Sequence, residues 1–174
     1  MKKQVKYIIL MLTLTMSIQG YAQELQEKLK TLGFLVEKQW QGKLWAPDSS
    51  KSFIIERTFK PILDGKVIKM QKINHELSNI GEGYIYYEPL ENKIAFFFIG
   101  NKGVYSKGFV NIEDSLISFE GIMTWPEQKP PFKQSYEIKN TFELNSSNLL
   151  IDKWYHNAFG EWKQGHTIEY SCKK

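Results

Sequence analysis

The chain has 174 residues, of which 42% are hydrophobic and 14% aromatic, with 23 basic against 19 acidic side chains. Its single cysteine, Cys172, excludes an intrachain disulfide. Lysines are scattered among glutamates rather than gathered on one stretch, which excludes the clustered basic face of a nucleic-acid-binding protein.

Residues 1–22 read as an export signal. Lys2, Lys3 and Lys6 make a positive start, and Tyr7 to Ile18 is an apolar run broken only by Thr and Ser. Gly20-Tyr21-Ala22 then puts small residues at the positions a signal peptidase inspects. The apolar run has 12 residues, against the ~20 that a membrane-spanning helix needs. No span is therefore expected after cleavage, and the protein is expected to be secreted or periplasmic. Removing the signal leaves 20 basic against 19 acidic residues, a net charge of +1. Residues 23–174 suit one domain, which at that size buries roughly 68–70% of its unfolded surface.

One short helix opens the mature chain, over about residues 24–32. Leu25, Leu29 and Leu32 fall on one face, and Gly33 follows where a helix commonly ends. Trp40 to Trp45 is the first strand. Further strands are expected near 52–60, 66–77, 83–88, 93–100, 103–112, 115–125, 135–144, 148–157 and 161–170. Tyr136, Ile138, Asn140, Phe142 and Leu144 alternate with Ser, Glu, Lys and Thr, the pattern of a half-buried antiparallel strand. Trp162, Gln164, His166, Ile168 and Tyr170 alternate in the same way. Segment 93–100 carries apolar residues on both faces, so cover on both sides is expected. Turns are expected at Asp64-Gly65, Asn79 to Gly83, Glu91-Asn92, Gly100 to Gly103, Glu113-Asp114, the proline-rich loop Pro126 to Pro131, Asn145 to Asn148 and Asn157 to Gly160. Such spacing predicts an all-β protein: an antiparallel up-and-down barrel of about 8–10 strands with one short N-terminal helix.

Phe34-Leu35-Val36 leading into Trp40-Gln41-Gly42-Lys43 resembles the opening of bacterial secreted lipocalin-like, calycin-type barrel families of unknown function. Leu63-Asp64-Gly65-Lys66 is similar to their first hairpin. Gly83-Tyr84-Ile85-Tyr86-Tyr87 and Tyr105-Ser106-Lys107-Gly108 are similar to their middle strands. The resemblance implies a barrel with a central cavity and names no ligand. More distantly the chain resembles the nitrobindin-type barrel, which binds haem through a late histidine, and His166 lies in a similar position. Only Trp40-x-Gly42 of that family's glycine-rich opening is present, so no cofactor is expected, haem through His166 included.

In a barrel the telling residues are polar ones on apolar faces, since an unpaired buried polar group costs ~1–3 kcal/mol. Arg57 shares a face with Phe53, Ile55 and Phe59, and Asn140 with Ile138 and Phe142. Gln164 and His166 share one with Trp162, Ile168 and Tyr170. Apolar walls with a few placed polar groups describe a ligand pocket. Arg57, Asn140, Trp162, Gln164, His166 and Tyr170 are therefore the candidate ligand-binding residues, for a small hydrophobic or amphipathic molecule. Three alternatives stand together: a binding barrel, a filled barrel in which these groups satisfy one another, and a small enzyme acting on the bound molecule through Arg57, His166 and a tyrosine. His75 and His156 read as surface residues. No metal site is expected, because the three histidines lie in separate strands without ligand spacing. No catalytic residue is expected either, since no Gly-x-Ser-x-Gly or phosphate-cradling glycine loop occurs.

Overall fold

A computed structural model describes residues 25–45, 51–129, 134–158 and 160–173. The expected export signal lies outside them, as do Gln23 and part of the proline-rich loop. Ten strands follow the N-terminal helix: β1 (Gln39–Trp45), β2 (Ser52–Ile62), β3 (Val67–Asn74), β4 (Asn79–Glu88), β5 (Lys93–Gly100), β6 (Tyr105–Glu113), β7 (Leu116–Thr124), β8 (Ser135–Leu144), β9 (Leu150–Ala158) and β10 (Glu161–Cys172). Each pairs antiparallel with the next, and β1 pairs with β10 through Trp40, Gln41 and Gly42, so the sheet closes into a barrel. Closure leaves no edge strand to template aggregation. The architecture is compatible with a lipocalin-like, calycin-type fold.

The leading helix differs from expectation in type and place. It is a 3-10 helix over Glu27–Leu35, so Gly33 lies inside it rather than after it. The reason is the leucine spacing. Leu29, Leu32 and Leu35 recur every third residue, which aligns them on one face at three residues per turn, and all three are fully buried. They join Trp40, Ile55, Phe59, Ile85 and Leu150 in one core, and Leu25 packs against its margin. The Trp40 indole N–H donates to the Leu35 carbonyl at 3.1 Å, which ties the helix end to β1. The Gln26 N–H bonds the Gly65 carbonyl in the β2–β3 turn, so the helix caps the barrel end where that turn lies.

Two expectations fail in the middle of the sheet. The β3–β4 turn falls at His75–Ser78 rather than at 79–83, fixed by the Asn74 side chain accepting the Leu77 N–H at 3.0 Å. Gly81 is then a strand residue, present because the Phe98 ring lies where its Cβ would stand. The outer face of β5 is also bare: Phe97 is 36% and Ile99 44% exposed. Every described element after the helix belongs to the one closed sheet, so none lies outside to cover them.

Within the barrel, edge-to-face contacts link Phe59 to Phe142 at 6.2 Å, Phe142 to Phe119 at 5.4 Å and Phe119 to Phe96 at 5.3 Å. These rings divide the interior. Toward the helix it is packed; away from it, Phe96, Phe119 and Phe142 face a hollow.

Candidate ligand-binding site

The hollow has a volume of about 370 Å³, within the ~300–1,000 Å³ of small-molecule sites. Phe96, Phe98, Phe119, Met70 and Ile138 supply apolar wall, and Asn79, Lys102 and Trp125 stand at the end opposite the helix. A larger depression of about 610 Å³ lies on the outer wall. Its floor is the outward row of β7–β10, crossed by the 2.8 Å Lys139–Glu120 ion pair. An already paired, solvated surface does not converge on a ligand, so the interior is the candidate site.

Deep in the interior, four polar side chains satisfy one another. Arg57, from β2, pairs with Asp152 of β9 at 2.8 Å, and its Nε donates to the Tyr170 hydroxyl at 3.0 Å. That hydroxyl lies 3.4 Å from Asp152 Oδ2 and donates to it. Asn140 of β8 donates to Asp152 Oδ1 and to the Lys153 carbonyl. The guanidinium also lies over the Phe142 ring at 5.0 Å. Burial opposes the Arg57 charge, but Tyr170 and Asp152 outweigh it and push its pKa up. For the neutral Tyr170 phenol burial acts the other way and is the main force raising its pKa.

Two further groups are not satisfied. Lys72 sits on β3, opposite Arg57 on one side and Gly81 on the other, and lines the cavity. Among the described residues it has no hydrogen-bond or ion-pair partner. Burial, then repulsion from Arg57, holds its pKa down to about 8, against a pull from Asp152. His166 also lines the cavity, with its Nε2 buried and unmatched by any protein group. Its ring stacks on Trp154 at 5.6 Å, and His156 stacks on Trp154 at 5.0 Å. Burial first, then Lys72 and Arg57, lower the His166 pKa to about 4, while Asp152 opposes.

That shift has a consequence for acid stability. Unfolded, the imidazole takes up a proton near its ordinary pKa of 6.5; folded, it resists until about 4. The unfolded state therefore binds more protons in that window, and stability falls as pH drops through it, by on the order of 3 kcal/mol. As pH falls across the window, the wild-type denaturant midpoint should drop relative to that of His166→Gln. A pH-independent gap between the two proteins would refute the assignment.

Of the six candidate residues, Arg57, Asn140 and His166 face the cavity. Tyr170 belongs to the buried network beneath it. Trp162 and Gln164 are corrections. Trp162 is 53% exposed on the outer wall, and Gln164 is exposed and donates to Thr167 at 2.8 Å. The pairing shows why: Gln164 faces Tyr155 and His166 faces Trp154, so Gly165 is an extra, bulged residue that inverts the alternation. Trp154 packs where a Cβ on Gly165 would stand, so the bulge and the ring require each other. His156 is a third correction, since its Nδ1 is buried beside Trp154 rather than in solvent. His75 is exposed, 3.6 Å from Glu56.

Sequence reasoning missed Asp152 and Lys72. A signal existed for each: a buried arginine demands an anion, and Asp152 is the acidic residue alternating with Leu150 and Trp154. Lys72 continues the inward row of Ile68 and Met70. Among the described residues, no group of three or more His, Cys, Asp or Glu is placed to hold a metal, and no helix is long and apolar enough to cross a membrane. No protein-family model matches the chain, and no curated protein matches it significantly.

Proposed function

We propose that the chain is an extracytoplasmic binding protein, freed from a signal at residues 1–22, that holds one small amphipathic molecule inside its barrel. The observation that carries this reading is the division of the interior. One half is filled and its polar groups are mutually bonded; the other is an apolar hollow into which, among the described residues, Lys72 and His166 project without hydrogen-bond partners. A barrel that served only as a scaffold gains nothing from leaving the buried His166 Nε2 unmatched, because that atom carries the cost of lost hydration.

Native mass spectrometry of the protein purified from its own host tests both parts. The expected species is a chain beginning at Gln23 plus one small-molecule mass that is lost on denaturation. A chain retaining Met1 would remove the signal, and a bare protein mass at native charge states would remove the resident ligand.

A further inference from the structure

We infer that the barrel's ligand is an organic anion: an apolar body in the hollow with a single acidic head, such as a carboxylate, seated on Lys72 beside His166. This rests on the binding reading above and narrows it to a chemical class.

The charges leave little choice. Arg57 and Asp152 neutralise each other at 2.8 Å, and Asn140 and Tyr170 donate to the same carboxylate. The charged and titratable groups coupled to Lys72 are Arg57 from β2 and Asp152 from β9, with His166 from β10. His166 is neutral at ordinary pH. Apart from Lys102, exposed at the cavity's open end, the interior therefore carries one unmatched positive charge whenever Lys72 is protonated. A cationic ligand would add to it, and a neutral one would leave it unpaired in a largely apolar cavity. An anion neutralises it and completes an ion pair in a medium of low dielectric, where such a pair is strongest. His166 Nε2 is an orphan buried atom lining the same cavity from β10, and in the tautomer with its proton on Nε2 it can donate to the second oxygen of such a head.

The hollow is small, roughly a dozen water-sized volumes at ~30 Å³ each, which suits a short chain or a single ring system rather than a long lipid. Phe98 and Phe119 line the wall against which the body lies.

Decanoate and decanol form a matched pair of probes, alike in apolar chain and different in charge. Calorimetric titration should show decanoate binding the more tightly. Lys72→Met should weaken decanoate by about thirtyfold and leave decanol within about threefold, since removing one member of a buried charge pair falls mainly on its partner. In the wild type, decanoate affinity should fall as pH rises above about 8, approaching tenfold per unit, while decanol stays level. This titration needs no substitution and stands even if the variant folds poorly. Equal affinity for both probes, with no response to pH or to Lys72→Met, overturns the acid head and leaves the cavity reading intact. Binding of neither probe overturns both readings together.

Discussion

Asp152→Ala should destabilise the barrel by ~3–5 kcal/mol, because it strands a buried arginine without its counter-ion. Asp152 is fully buried, and its two oxygens hold Arg57, Tyr170 and Asn140 at once. Removing it leaves a guanidinium that is 8% exposed and cannot shed its proton. The cost comes from the charge left behind rather than from the bond removed. The double variant Arg57→Met/Asp152→Leu should therefore recover most of the loss. Urea denaturation of the two proteins at neutral pH measures both values. A loss below ~1 kcal/mol for the single variant would mean that Asp152 does not neutralise Arg57.

Lys72→Met should do the opposite and stabilise the protein at neutral pH by on the order of 1 kcal/mol, since Lys72 is only partly buried and water screens its charge. Folding lowers the Lys72 pKa from 10.5 to about 8. Below 8 the amine is charged in both states, and the folded protein carries the whole cost of holding that charge in the barrel. As pH rises from 8 toward 10.5 the folded state releases its proton first, so wild-type stability climbs and the advantage of methionine shrinks. Thermal or denaturant midpoints of both proteins across that range should converge at the alkaline end. A variant less stable than wild type at neutral pH would count against an unpaired cation at this position. Combined with the thirtyfold loss of decanoate expected of the same substitution, a gain in stability would make Lys72 a residue kept for binding at the expense of the fold.

The barrel was legible from alternation alone, because one wall of each strand is wet and the other dry, and β8 shows this with Ile138 and Phe142 buried against exposed Glu137 and Glu143. Leu63-Asp64-Gly65-Lys66 likewise announced its turn. Alternation failed at β10, where the bulge at Gly165 turned Trp162 and Gln164 outward while His166, Ile168 and Tyr170 stayed in. No local pattern marks a bulge whose cause, the Trp154 ring, lies on another strand. Asp152 escaped for a related reason: β9 carries polar residues on both faces, with Asp152 and His156 inward and Lys153 and Asn157 opposite them, so period two has little contrast to work with. Arg57 and Asn140 were found because each interrupts a clean apolar row. Partners such as Asp152 become visible only once the strands are laid side by side.

The bonds that settle Arg57 reach across 95 residues to Asp152 and 113 residues to Tyr170. A chain made from its N-terminus acquires the arginine well before its partners, and β1 waits longer still for β10. Pairings this distant carry a large loop-closure entropy, and all-β topologies of this sort complete folding in milliseconds to seconds. A nascent chain ending before Asp152 has hairpins but no enclosed interior, with an unneutralised cation where that interior should form. Closure of the barrel is thereby postponed until Asp152 and Tyr170 have both been made.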